Sequence, residues 1–311
     1  MITRAIRSAV ITGPTGAIGT ALCAELLANG VTVYAAVNPT SRRIANLPKH
    51  GDLHVIPCDI AQIGSLPAHI PQCDAFFHLA WTNTTGAGRN NMPAQADNLR
   101  FALDAVNAAA AMRAGVFVGA GSQAEYGRVE GILTPQTPCF PENGYGMAKL
   151  CAGQMTRVMC AAKGIAHVWL RVLSVYGPHD GDSSMIPTVI RTLLRGERPK
   201  LTPGTQKWDY LYSKDAARGF YLAARHGRDG AVYPLGSGAA RPLREYVETL
   251  RDCIDPALPL GFGDVPFSEK QVMHLLADLS ALTADTGFRP ATAFAEGIAE
   301  TIEAYKPSGS A

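Results

Sequence analysis

Apolar and polar positions follow two periods along the first half of the chain. Short β-rich apolar runs at Ala9 to Thr12, Thr32 to Val37, Leu53 to Ile56, Ala75 to Leu79, Val116 to Val118 and Val168 to Val172 read as strands. Between the first two, Ile18, Leu22 and Leu26 recur every four residues. That spacing predicts a helix with one apolar face, and Gly30 is placed to end it. Longer helical patterns run from about Ala94 to Arg113, before Gly115, and from about Tyr145 to Lys163, before Gly164. Strands that alternate with helices imply parallel pairing through crossovers, with helices on both faces of the sheet. The expectation is an α/β fold, a Rossmann-type doubly wound parallel sheet, over residues 1–177. Past Gly177 the regularity fades. Pro187, Pro199, Pro203, Pro234, Pro242, Pro256, Pro259, Pro266 and Pro290 cut the chain into short pieces. Residues 178–311 therefore read mainly as a smaller lobe, with some elements returning to the sheet. The last five residues, Pro307 to Ala311, read as a frayed tail.

Composition narrows the classes. The 311 residues are 47% hydrophobic and 17% charged, enough apolar material for a core and too little charge for disorder. A net charge of +2 without a basic block argues against nucleic acid or an anionic membrane surface as partner. No apolar run is long enough to span a bilayer, and the first residues lack a signal-peptide core. Seven scattered cysteines without a CxxC pair argue against a disulfide framework or a zinc site. The expected setting is cytoplasmic, with reduced thiols and no metal.

The chemistry starts at Thr12-Gly13-Pro14-Thr15-Gly16-Ala17-Ile18-Gly19, between the first strand and the first helix. A tight turn, a close backbone approach to a pyrophosphate, and close helix packing each ask for glycine, and a helix N-terminus favours the phosphates. In this strand–turn–helix context the motif predicts a dinucleotide site. The end of the second strand reads Asn38-Pro39-Thr40-Ser41-Arg42-Arg43, without the acid that would hold an adenosine 2′-hydroxyl. Ser41, Arg42 and Arg43 suit a 2′-phosphate, or else form a solvated basic loop. The cofactor expectation is thus NADP, with NAD as the alternative. Tyr145 and Lys149 are spaced i, i+4 at the start of a predicted helix, on one face. An ammonium beside a phenol favours the phenolate, so Lys149 is expected to lower the Tyr145 pKa and make it a proton donor or acceptor. Ser122 follows the fifth strand at the sheet edge where ligands bind, placed to hydrogen-bond a reacting oxygen or simply to cap the next turn.

These residues resemble an extended short-chain dehydrogenase/reductase of the nucleotide-sugar epimerase, dehydratase and ketoreductase group. The likeness is carried by Thr12 to Gly19, Cys58-Asp59-Ile60, Phe77 to Trp81, Ser122 to Gly127, Tyr145 to Lys149, Arg171 to Pro178, Trp208 to Tyr212 and Thr286 to Pro290. The resemblance implies Ser122, Tyr145 and Lys149 as the catalytic set. It implies cofactor contacts at Gly13, Thr15, Gly16, Ala17, Ile18, Gly19, Asn38, Ser41, Arg42, Asp59, Ile60, Leu79, Ala80, Trp81 and Asn98, besides Tyr145 and Lys149. Asp59 would meet the adenine, or else cap the following turn. The segments around Trp81 and Ser122 are most similar to sugar 4-ketoreductases of the CDP-abequose synthase kind.

Dehydratases of the group carry an Asp-Glu pair directly after the catalytic hydroxyl. Here Gln123 and Ala124 stand there, and neither is a general acid or base, which disfavours elimination of water. Glu125 has the wrong offset and is expected to pack locally. Ketoreduction and 4-epimerisation remain. The missing acid after the second strand points to the reductase, with Tyr145 protonating the 4-keto oxygen of a nucleoside-diphosphate 4-keto-6-deoxyhexose and Ser122 polarising it. Substrate contacts are expected at Trp81, Ser122, Gln123, Ala124, Ser174, Lys207 and Trp208. Many relatives have Arg and Asn where this chain has Trp208 and Ser174, so the diphosphate lacks its usual ligand, with Lys207, Arg241 or Arg289 as substitutes. His179 and Asp180 read as a solvated turn or as sugar contacts, and Asp215 as a residue of a helix N-terminus. A reductase of a non-nucleotide carbonyl and a non-catalytic cofactor-sensing regulator stay open. The resemblance also implies a homodimer, through Ala102, Ala105, Ala108, Ala109 and Ala110 on one helix and Cys151, Ala152, Met155 and Met159 on the next; these faces equally suit packing on the sheet.

Overall fold

A computed structural model describes residues 3–181 and 184–306. The expected frayed tail, Pro307 to Ala311, lies outside the described residues. Six parallel strands come from the first half of the chain: β1 (Ser8–Thr12), β2 (Thr32–Val37), β3 (Leu53–Pro57), β4 (Ala75–His78), β5 (Val116–Ser122) and β6 (Ala166–Val172). Further on come β7 (Ser174–Tyr176), β8 (Lys200–Leu201), β9 (Lys207–Trp208), β10 (Tyr210–Tyr212), β11 (Ala231–Leu235), β12 (Arg241–Pro242) and β13 (Gly261–Phe262). The helices are α1 (Ala17–Ala28), α2 (Met92–Ala111), α3 (Gly144–Ala162), α4 (Met185–Leu194), α5 (Ser213–His226), α6 (Leu243–Ile254), α7 (Ser280–Thr286) and α8 (Phe294–Tyr305).

The main sheet has the order β3-β2-β1-β4-β5-β6-β11. Every neighbouring pair in it is parallel, so this is the doubly wound Rossmann arrangement, with the strand order reversing between β1 and β4. Ligands of such sheets bind at that reversal, beyond the carboxyl ends of the strands. β11 joins through β6, and α5 packs against α1 on the face built around Leu22, Leu26 and Phe220. The other face is built around Phe76, Phe117 and Val106.

Two crossovers differ from the strand–helix alternation read from the sequence. β2 to β3 carries only the short 3-10 turn Ile44–Asn46, and β3 to β4 the kinked 3-10 segment Ile60–Ala68 with Pro67 inside it. Proline removes a backbone donor and clashes with the preceding turn, so an α-helix does not propagate there. β5 is longer than its apolar run and ends on Ser122 itself. Its extension is glycine-rich because Trp169 of β6 lies across it: a Cβ on Gly119 or Gly121 would come within 2.3 Å of the indole.

The alanines of α2 considered for a dimer face are spent inside the chain. Ala102, Ala105, Ala108 and Ala109 are at most 2% exposed, and Ala152 of α3 is fully buried. The large apolar side chains that α3 exposes are Met147, Met155 and Val158. Among the described residues no helix is long and apolar enough to cross a membrane.

Candidate functional site

β1 delivers the glycine turn to the sheet edge. Gly13 has φ +70°, in the left-handed region that glycine enters without strain, and a Cβ there would lie 2.8 Å from the Ala80 nitrogen. Gly19 packs its face on the Gly13 carbonyl, where a Cβ would come within 2.2 Å. Gly16 is different: a Cβ there would meet nothing closer than 3.8 Å. The turn is thus closed on two sides and open on the third. α1 begins at Ala17 with Gly16 as N-cap and no side-chain cap, so its first N–H groups keep their positive end toward the opening. Two adjoining cavities of about 370 and 320 Å³ share Gly13, Gly16, Arg43, Leu79 and Trp81 in their walls.

The first cavity also takes in Ala17, Ile18 and Gly19 and reaches Ser122, Tyr145 and Lys149. The second takes in Thr15, Asn38, Ser41, Ile60 and Ala80. The structure therefore brings most of the expected cofactor positions onto one groove. Arg42 is exposed and lines neither cavity, whereas its neighbour Arg43 lines both and donates to the His179 carbonyl across the cleft. Asp59 caps the turn after β3, accepting from the Ala61 N–H at 2.8 Å, and also accepts from Asn38 at 3.1 Å. Asn98 is fully buried and its amide is spent on the loop after β4: it donates to the Thr82 carbonyl and accepts from the Thr82 N–H, both at 3.0 Å.

Ser122 caps the next turn, the second of the two readings of it. Its hydroxyl accepts from the Ala124 N–H at 3.1 Å as an N-cap, and it is also the hydrogen-bond partner that pulls the Tyr145 pKa down. The cap is a capping box, closed by Glu125 accepting from the Ser122 N–H at 2.8 Å. Glu125 does more than pack locally. It accepts from Trp169 Nε1 at 3.0 Å and pairs with Arg171 Nε at 2.7 Å, with 1% of its side chain exposed. Gln123 and Ala124 are outside the walls of both cavities.

The expected pairing of Lys149 with Tyr145 is corrected. Lys149 Nζ donates to the Ala120 carbonyl at 2.7 Å and sits 3.8 Å over the Trp81 ring; the Tyr145 ring centroid is 5.8 Å away. Burial pushes the Lys149 pKa down to about 7. The Tyr145 pKa is raised, not lowered, because desolvation of the phenol outweighs the opposing pull of Ser122 and of a residue the sequence reading passed over, Arg89. Arg89 lies over the Tyr145 ring with its Cζ 4.9 Å from the centroid. No periodicity or spacing marks it, since it sits in the short 3-10 segment Gly86–Asn90.

Outside the main sheet, Trp208 Nε1 on β9 donates to Ser174 Oγ on β7 at 2.7 Å. The two residues that replace the usual Arg and Asn thus bond to each other. Trp208 helps wall a third cavity of about 320 Å³ with Leu201, Tyr210, Val247 and Phe262, where Lys200 is the one cation among the described residues. Lys207 is exposed on β9 and not part of that wall. Arg241 stacks on the Tyr246 ring at 4.4 Å, and Arg289 lines a separate groove. His179 and Asp180 are half-buried and line the first cavity, so the turn is not simply solvated. Asp215 is in the first turn of α5 and accepts from the Ala291 and Thr292 N–H groups.

Fold and groove together define a Rossmann-type protein whose residues fit a dinucleotide. The closed glycine turn, the open face at Gly16 and the uncapped helix end are the features a pyrophosphate requires. Residues 9–236 match the model of the NAD dependent epimerase/dehydratase family, and the chain belongs to that family. It is 25% identical over 316 residues to a dTDP-glucose 4,6-dehydratase of Actinoplanes sp., covering 97% of this chain and 98% of that one. A dTDP-glucose 4,6-dehydratase of Streptomyces griseus is 29% identical over 203 residues, 63% of this chain and 61% of the relative. Other dehydratase relatives match over 50% to 60% of their own length. Among solved structures, a UDP-N-acetylglucosamine 4-epimerase from Methanobrevibacter ruminantium superposes with a TM-score of 0.87 at 23% identity, covering 97% of this chain and 99% of the other. A UDP-glucuronic acid 4-epimerase from Bacillus cereus in complex with NAD gives 0.83 at 21%, covering 96% and 98%. These likenesses show the fold.

Proposed function

We propose that this protein is an NADPH-dependent reductase of the 4-keto group of a nucleoside-diphosphate 4-keto-6-deoxyhexose. The observation that carries the reading is the convergence of Ser122, Tyr145 and Lys149 on the cavity of the glycine turn, while the one carboxylate beside Ser122 is locked in a buried ion pair. Elimination of water needs a free carboxylate there, and Glu125 has both oxygens engaged.

When bound, a nicotinamide dinucleotide supplies a hydride. The turn at Gly13, Gly16 and the start of α1 would hold its pyrophosphate, and Ser41 with Arg43 its 2′-phosphate. Tyr145 donates its proton to the carbonyl oxygen, and the Ser122 hydroxyl hydrogen-bonds the same oxygen. Lys149, held by the Ala120 carbonyl, lines the same cavity as that proton donor. The third cavity would hold the nucleoside end of the substrate. A homodimer through the outward face of α3 at Met147, Met155 and Val158, and a cytoplasmic setting for the seven free cysteines, complete the proposal.

Substituting Tyr145→Phe is expected to cut NADPH oxidation with 4-keto substrates by about 100-fold or more while sparing dinucleotide binding. Near-normal turnover in that variant overturns the role. Purification with tightly held NAD, and interconversion of 4-epimers without net NADPH use, would instead establish the 4-epimerase reading.

A further inference from the structure

Tyr145 is faced by three charged groups. Lys149 comes from α3 itself, Arg89 from the 3-10 segment Gly86–Asn90, and Glu125, neutralised by Arg171, from the turn after β5. His78, at the end of β4, is fully buried, and desolvation with the nearby Lys149 charge drives its pKa down to about 3, so it is neutral. Of the two cations, Lys149 is spent on the Ala120 carbonyl and the Trp81 face. Arg89 has its guanidinium carbon 4.9 Å from the Tyr145 ring centroid, and its Nε is buried without a hydrogen-bond partner among the described residues.

That placement is fixed by the fold. Asn90 accepts from the Gly144 N–H at 3.0 Å, tying the segment to the residue before Tyr145. A Cβ on Gly144 would come 3.1 Å from the Arg89 carbonyl oxygen, so the two backbones are already in contact. Gln95 donates to the Gly88 carbonyl at 3.1 Å from the other side, while accepting from Trp81. The loop is thus clamped between α2 and α3 with its cation on the phenol ring.

We propose that Arg89 is a positioning residue for proton donation: its charge, rather than that of Lys149 alone, sets the acid strength of Tyr145. When the Tyr145 hydroxyl gives up its proton, the O–H bond breaks and the electron pair stays on the phenolate oxygen. A fixed cation over the ring stabilises that anion more than the neutral phenol, and partial burial keeps the interaction from being fully screened. The burial that raises the Tyr145 pKa is thereby offset in part at a second point, independent of Lys149.

The inference rests on reading Tyr145 as the proton donor, and its test does not require turnover. The full chain is labelled with 13Cζ-tyrosine, the Tyr145 resonance is assigned by its loss in Tyr145→Phe, and its midpoint is followed against pH. Arg89→Met is expected to raise that midpoint by about one pH unit, and Arg89→Lys to restore most of the shift. An unchanged midpoint in Arg89→Met, or equal shifts in the Met and Lys variants, overturns the proposal. Should Arg89→Met fail to fold, Arg89→Gln takes its place under the same criteria. A shifted midpoint together with normal turnover in Tyr145→Phe would leave the electrostatic coupling of Arg89 to Tyr145 standing and remove both its role in proton donation and the functional reading.

Discussion

Glu125 and Arg171 form a buried ion pair, with Nε 2.7 Å from Oε2 and side chains 1% and 5% exposed. The same carboxylate closes the capping box on Ser122 and accepts from Trp169. One group therefore supports the end of β5, the indole that covers it, and the backbone of a proposed catalytic residue. Arg171 Nη1 has no further hydrogen-bond partner among the described residues, and the guanidinium stacks on Tyr126 at 4.5 Å. Glu125→Ala would leave that cation buried and unpaired. The expected loss is about 3–5 kcal/mol of stability, read by urea unfolding. Glu125→Gln keeps an acceptor for Ser122 and Trp169 and should lose less. A Glu125→Ala chain as stable as the parent would show that the pair is not structural.

The glycines of the turn should separate folding from binding. Gly19→Ala places a methyl 2.2 Å from the Gly13 carbonyl oxygen and 2.7 Å from the Pro14 Cα, both backbone atoms. Overpacking of this kind costs about 1–3 kcal/mol, so the melting temperature should fall. Gly16→Ala adds its methyl to open space, 3.8 Å from the nearest atom. It should melt like the parent and bind a dinucleotide more weakly, which calorimetric titration measures.

Lys149 carries a stability cost that depends on pH. Its folded pKa is about 7 against an ordinary 10.5, so between those values the unfolded chain binds one proton more than the folded chain. Stability must then rise with pH across that window, by up to about 1.4 kcal/mol per pH unit from this group. Lys149→Met removes the term. Its advantage over the parent should be largest below pH 7 and shrink toward pH 10. Melting curves of both proteins at matched pH decide it; a constant difference would mean that Lys149 is not held in a desolvated site.

Arg43 and Arg42 are adjacent in sequence and opposite in placement, since only Arg43 lines the cavities. A charged hydrogen bond to a phosphate is worth about 1.5–3 kcal/mol. Arg43→Ala should therefore weaken NADPH binding by roughly tenfold or more and leave NADH little changed, with Arg42→Ala near parental for both. Equal effects of the two substitutions would place the 2′-phosphate elsewhere.

The strands and the glycine turn were legible because their signals are local. Apolar runs specify strands through their own burial, and Gly13, Gly16 and Gly19 do their work within one turn of chain. The i, i+4 spacing of Tyr145 and Lys149 was enough to put both on one cavity. What the ammonium touches was not legible, because Ala120 comes from β5 and Trp81 from the loop after β4. Asn98 and Asp59 show the same limit: neither lines the cavities, and the hydrogen bonds of each go to the protein's own backbone and side chains.

By itself the sequence determined the class of fold, the order of its elements and the short list of reactive groups, since these follow from periodicity and from spacings of a few residues. The tertiary structure decided which charges meet. It paired Glu125 with Arg171 across 46 positions of chain, laid Arg89 over Tyr145, and turned Arg43 rather than Arg42 toward the groove. Those choices depend on how crossovers and loops pack at the end of the sheet. The field of a charge acts through space, with no trace in the local pattern of the chain.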